Sequence, residues 1–147
     1  MIIVIKKLKK EAIVPEYQTE GAACFDLHAC TNDPIVIWPG DFAAIPTGLA
    51  FEVPDGFELQ IRARSGLAAK YGIGIVNGIG TIDSDYRGEI FAILINWGKE
   101  PFVVEKDMRI AQGTVKKFEK VEFIKVEKLT DTMRGEGKFG STGAFNE

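Results

Sequence analysis

The sequence predicts an all-β domain carrying one short helix, and three observations lead there. Short apolar runs recur along residues 2–126, turn-forming triplets separate them, and only one segment has helix signals at both ends. Many short strands at such spacing describe a sandwich or barrel. At 147 residues the chain is long enough for one hydrophobic core and too short for two.

Along the chain, strands are expected at residues 2–5, 35–38, 43–45 and 49–53, all apolar runs rich in strand-forming side chains. Phe57-Glu58-Leu59-Gln60-Ile61-Arg62 alternates strictly, so Phe57, Leu59 and Ile61 share one buried face. Runs 73–76, 102–104, 110–118 and 121–126 add further strands, and a strand should follow the Asn77-Gly78 turn. Phe91-Ala92-Ile93-Leu94-Ile95 has no polar residue, the pattern of a strand covered on both faces. Pro39-Gly40-Asp41, Pro54-Asp55-Gly56, Asn77-Gly78 and Trp97-Gly98-Lys99 supply the turns. The helix is Ser65-Gly66-Leu67-Ala68-Ala69-Lys70-Tyr71, with Ser65 as its N-cap and Gly72 as its stop.

The chain divides after residue 129, into a β domain over 1–129 and a flexible arm over 130–147. The arm has no Val, Ile or Leu but four glycines, so it cannot bury itself. It carries Arg134, Phe139, Ser141 and Thr142, a mix better suited to ordering over a ligand than to a loose end.

Bulk composition narrows the function. Hydrophobic residues are 46%, charged residues 27% and the net charge is −3, so a surface that coats nucleic acid is not expected. No stretch approaches the ~20 apolar residues that span a bilayer, and no basic segment precedes the first apolar run, so a cytoplasmic protein with no membrane partner is expected. Cys24 and Cys30 make neither a disulfide framework nor a zinc site, and read as free thiols. With His28 as its single histidine, the chain has no room for most Ser-His-Asp or multi-histidine chemistry.

The basic residues are unequal. Of 18, only five are arginine: Arg62, Arg64, Arg87, Arg109 and Arg134. Arginine binds carboxylate and phosphate through a planar fork, whereas lysine runs such as Lys9-Lys10 and Lys116-Lys117 usually solvate a surface. Two phosphate-binding patterns fail on inspection. Gly72-Ile73-Gly74-Ile75-Val76-Asn77 lacks the third glycine of a dinucleotide loop, and Gly137-Lys138-Phe139 lacks the hydroxyl and the strand-to-helix setting of a P-loop.

Four blocks survive. Arg64-Ser65-Gly66-Leu67-Ala68 sets an arginine and a hydroxyl at a helix start, where backbone N–H groups are free for an anion or simply capped. Asn77 through Gly88 sets a turn and a strand ahead of Asp83 and Asp85, which suit metal binding, activation of a water, or plain turn chemistry. Ile79 and Ile82 flank Asp83 and imply that it is half-buried, which asks for a purpose or a partner. Arg109-Ile110-Ala111-Gln112 suits oxyanions, or a buried Arg–carboxylate pair. The arm is the fourth. Together they describe a site for something phosphorylated, with a carboxylate nearby.

With Ala23-Cys24-Phe25-Asp26-Leu27 added, the five blocks resemble, in order and spacing, the five motifs of trimeric dUTP pyrophosphatases, the dUTPases. The resemblance covers residues 20–143 and implies a jelly-roll-like β fold, a homotrimer with shared sites, and Mg²⁺-dependent hydrolysis of dUTP to dUMP and pyrophosphate. That reaction keeps uracil out of DNA and supplies dUMP for thymidylate synthesis. By resemblance Asp83 activates the attacking water and Tyr86 packs under the deoxyribose, leaving no space for a 2′-hydroxyl. Asn77 and backbone near Ile79 and Phe91 hold uracil, with Thr81 and Ile82 completing that part of the substrate site. Arg64, Ser65, Gly66 and Gln112 hold the phosphates. Asp26 acts through water on a Mg²⁺ carried mainly by the triphosphate. Phe139 covers the uracil of another subunit's site, with Arg134, Gly140, Ser141 and Thr142 around the terminal phosphate.

Three residues depart from the family pattern: Cys24 for Gly, Ala63 for Pro, and Lys138 for Gly beside Phe139. The nearest rival, dCTP deaminase, shares the fold, but its catalytic Glu position falls on Ile93 and Gly66 breaks its Arg-Ser-Ser block. A catalytically idle nucleotide sensor on the same fold is the other alternative, and intact Asp83, Gln112 and arm speak against it.

Overall fold

The computed structural model describes residues 1–139. Among them, eleven strands and one helix follow in chain order: β1 (Val4–Lys7), β2 (Phe25–His28), β3 (Ile35–Ile37), β4 (Phe42–Pro46), β5 (Leu49–Glu52), β6 (Phe57–Arg62), α1 (Ser65–Tyr71), β7 (Ile73–Ile75), β8 (Gly80–Ile82), β9 (Phe91–Asn96), β10 (Phe102–Val104) and β11 (Arg109–Lys117). All pairings are antiparallel. Two larger sheets, β2-β11-β6-β8 and β4-β9-β7, are joined by the small pairs β1-β5 and β10-β3. The all-β class with one short helix is therefore as the sequence predicts.

Alternation does what it should on β6. Leu59 and Ile61 are buried, while Glu58, Gln60 and Arg62 line the opposite face. The buried side chains of both larger sheets meet in one cluster with Leu27, Ile45, Leu94 and Ile110, each fully buried aliphatic contributing about 2 kcal/mol. Phe25 and Phe51 stack within it, ring centroids 6.3 Å apart.

The turns fall where glycine was placed. Gly40, Gly56 and Gly78 all adopt positive φ, and Gly72 ends α1 at φ 71°, its N–H donating to the Ala68 carbonyl at 3.0 Å. Ser65 is not the N-cap. Arg64 holds that position in extended backbone and makes no side-chain cap, because a guanidinium has no acceptor for the helix N–H groups; Ser65 is the first helical residue.

Three further expectations change. Residues 121–126 form no strand, and Val121, Phe123, Ile124 and Val126 are exposed, since no neighbouring strand in the described chain offers them hydrogen bonds. β9 is covered on one face only: Ala92, Leu94 and Asn96 are buried, but Phe91 is exposed and Ile93 and Ile95 half-exposed. A purely apolar run cannot show which face the rest of the chain covers. Conversely, β2 was missed, because Asp26 and His28 interrupt its apolar pattern.

One buried polar residue was also not foreseen. Asn96, wholly inaccessible, donates through Nδ2 to the carbonyls of Ile37 (2.9 Å) and Glu100 (2.8 Å), and its Oδ1 accepts from the Gly98 N–H (2.8 Å). It ties the end of β9 to β3 and to the 97–100 turn. Asn96→Ala leaves these groups unpaired, so urea unfolding of that variant should show a loss of about 3 kcal/mol.

Candidate active site

The first, second and fourth blocks converge. β2 carries Asp26, β11 carries Arg109 and Gln112, and Arg64-Ser65-Gly66 leaves the end of β6; in register Gln112 faces Asp26 on one side and Arg62 on the other. Asp26 is buried between two guanidiniums. Arg64 Nε donates to its Oδ1 at 2.9 Å and Arg109 Nη1 to its Oδ2 at 3.2 Å, while Arg64 Nη1 also reaches the Arg109 carbonyl at 3.1 Å. Two cations share one anion, so positive charge and unspent N–H donors remain. They line a cleft of about 270 Å³ with Cys24, Ser65, Gly66 and Gln112. The first N–H groups of α1 have no helical partner and open on the same place. Such a cleft suits an anion with several oxygens.

Gln112 plays a second part there. Its Nε2 donates to the Ala63 carbonyl at 2.7 Å, bracing the backbone that presents Arg64 and Ser65. His28 sits opposite Arg109 in the β2–β11 register; burial holds its imidazole below the usual pKa, and Nδ1 has no hydrogen-bond partner among the described residues.

The third block forms a separate cleft, also about 270 Å³, lined by Thr81, Ile82, Asp83, Tyr86, Glu89 and Phe91. The Asn77-Gly78 turn that precedes it joins the two larger sheets, because β7 pairs with β9 and β8 with β6. Asn77 and Ile79 stand exposed at its tip. Past β8 the chain turns tightly: the Tyr86 N–H donates to the Asp83 carbonyl at 3.2 Å, and Arg87 Nη1 caps the carbonyls of Ser84 and Tyr86. Arg87 thus braces a turn and does not join the cleft around Asp26. Tyr86 Oη donates to the Glu89 carbonyl at 3.0 Å.

Asp83 is exposed, not half-buried as its isoleucine neighbours implied. Ile79 is itself exposed, and Asp83 lies just past the end of the edge strand β8, where none of the described residues covers it.

The two clefts share no residue. Asp26 lies on one edge strand of the β2-β11-β6-β8 sheet and Asp83 just past the end of the other, three strand spacings away. The register adds about four residues along the strands, because Asp26 is level with Arg62, and Asp83 follows the Ile82 that faces Leu59. At ~4.8 Å per strand and ~3.3 Å per residue the separation is about 20 Å. In the arm, Arg134 and Phe139 are exposed and meet neither cleft; Gly140, Ser141 and Thr142 lie outside the described residues. Glu89 and Gln18, the latter 3.4 Å from Arg109 Nη1, are site neighbours the sequence did not single out, having no pattern of their own.

Among the described residues no three His, Cys, Asp or Glu side chains are grouped to hold a metal ion, and no helix is long and apolar enough to cross a membrane.

Comparison with known proteins identifies the family. The family model described as dUTPase matches residues 10–143. The chain is 56% identical over 140 residues to the deoxyuridine 5′-triphosphate nucleotidohydrolase of Rickettsia felis, covering 95% of each chain. It is 54% identical over 143 residues to that of Nautilia profundicola, covering 97% of this chain and 99% of the other. Among solved structures, a Staphylococcus bacteriophage 80alpha dUTPase variant with dUpNHpp superposes at a TM-score of 0.83 and 26% identity, covering 97% and 98% of the two chains. By sequence, fold and the placement of its motifs, the chain belongs to the dUTPase family.

Proposed function

We propose that this protein is a dUTP diphosphatase, hydrolysing dUTP to dUMP and pyrophosphate at sites assembled between copies of the chain. One observation carries the shared-site reading. The arginine pair held by Asp26 and the carboxylate of Asp83 are both open to solvent, yet about 20 Å apart in the same chain. A phosphate bound at the first cannot meet a water held at the second unless the two come from different copies.

In that reading Arg64, Ser65 and Gly66 bind the phosphates, with Gln112 fixing their backbone. Asp83 orients a water and takes its proton as the oxygen attacks phosphorus; the bond between the α- and β-phosphates breaks and pyrophosphate leaves. Asn77, Ile79, Thr81, Ile82 and Phe91 hold the uridine moiety, and Tyr86 floors the deoxyribose. Arg134, Phe139, Gly140, Ser141 and Thr142 close over the site from a further copy, excluding bulk water. The almost wholly exposed ring of Phe139 fits a residue awaiting a partner.

The residues suit a Mg²⁺ that arrives with the triphosphate. Both Asp26 oxygens are already engaged by arginine, which leaves a contact through water as its natural role. Bound there, the ion supplies charge neutralisation to the phosphates. A distant relative, the dUTPase of phage phi11, is described with a coordinated structural Mg(II) ion.

Assembly with other copies, which we read as a trimer, is favoured by the outer face of the β4-β9-β7 sheet. Phe42 pairs with Ile95 and Ala44 with Ile93, an apolar surface of the kind that normally meets another chain. The free thiols of Cys24 and Cys30 fit a reducing cytoplasm. Deamination is disfavoured, because Ile93 on β9 brings no carboxylate to that position.

With Mg²⁺, dUTP should release pyrophosphate and dCTP should release no ammonia; ammonia from dCTP with inert dUTP overturns the assignment. Asp83→Asn should lower kcat about 10³-fold with dUpNHpp affinity nearly unchanged, whereas a matching loss of affinity would assign Asp83 to binding. Light scattering should give three times the 16.2 kDa chain mass, and a monomer would refute the shared site. Deleting residues 130–147 should leave the melting temperature in place and abolish turnover; full activity in that truncation refutes the closing arm.

A further inference from the structure

Gly88 stands where glycine is not required by its backbone. Its φ is not among the positive values that Gly40, Gly48, Gly56, Gly72, Gly78 and Gly135 adopt, so an alanine fits the chain conformation there. What excludes a side chain is the ring of Tyr86. A Cβ on Gly88 would fall on Tyr86 Oη, and would lie 2.5 Å from Cζ and 3.0 Å from Cε2. The tyrosine ring is seated on the bare face of this glycine.

The ring has little else to hold it. Tyr86 is half-exposed, in a loop without regular structure, and its hydroxyl donates to the Glu89 carbonyl at 3.0 Å. The backbone around that carbonyl is pinned. Glu89 Oε1 accepts from the Gly48 N–H at 2.8 Å, and Thr47 donates to the Ile90 carbonyl through Oγ1 (2.8 Å) and N–H (3.1 Å). The Ile90 N–H in turn donates to the Leu49 carbonyl at 2.8 Å, and Ile90 is fully buried. A clash at position 88 therefore cannot be relieved by the downstream main chain. The ring must give way.

We propose that Gly88 is a specificity-determining positioning residue: by lacking a side chain it seats the Tyr86 ring, and so sets the depth at which the sugar is received. This rests on the reading that Tyr86 lies under the deoxyribose. Glu89 and the Thr47-Gly48 turn are the anchor, and the ring is the movable part. Selection between deoxyribose and ribose then depends on the packing of a tyrosine on a glycine two residues away.

The test compares kcat/KM for dUTP and UTP in Gly88→Ala, Tyr86→Ala and the double variant, with melting temperatures as a check on folding. Gly88→Ala should lower the dUTP preference about tenfold or more, and the same substitution should have no further effect once Tyr86 is alanine, because no ring remains to be displaced. Tyr86→Phe, which removes the oxygen that the Cβ would meet, should partly rescue Gly88→Ala. If Tyr86→Ala leaves the preference unchanged, the sugar-floor reading falls, and this inference with it. If Tyr86→Ala lowers the preference but Gly88→Ala does not, or acts equally in both backgrounds, Gly88 is not the seat of the ring.

Discussion

The carboxylate of Asp26 between Arg64 and Arg109 is the contact on which the rest of the site depends. It joins three segments that are distant in sequence: β2, the end of β6 and the start of β11. Burying one anion against two cations is tolerable only because its oxygens are hydrogen-bonded, and because Arg109 keeps nearly half of its side chain in water. Arginine rather than lysine is needed, since each guanidinium serves Asp26 and still keeps donors for a second oxyanion. Arg64 holds the N-cap position of α1 without capping it, since a guanidinium only donates hydrogen bonds.

The sheet then acts as a spacer. The strand order β2-β11-β6-β8 sets the arginine pair on one edge, and the β6–β8 register sends Asp83 past the opposite edge. The outer faces of β9 and β4 and the apolar run 121–126 leave apolar side chains exposed on the single chain.

The five arginines divide by task once their surroundings are known. Arg64 and Arg109 face the cleft around Asp26, Arg62 bonds to Gln60 along the outer face of β6, and Arg87 holds the turn beneath Tyr86. Arg134 remains exposed in the arm. Residue type alone pointed to oxyanions, and contact geometry decided which guanidinium was free to bind one.

By itself the sequence determined the class of fold, most strands, the helix with its glycine stop, and the motif set that identifies the family. These are local properties: alternation, turn backbone angles and short ordered blocks are written within a few residues. Only the tertiary structure decided that Asp83 is exposed, that β9 is covered on one face, that 121–126 lies unpaired, and that Asn96 and Glu89 anchor loops from within. Those outcomes depend on which segments become neighbours. The polar side chains of Asp26 and His28 hid β2 from any pattern of hydrophobicity, although β2 carries the residue that organises the site. Burial and pairing are properties of neighbours, which a local pattern of residues does not record.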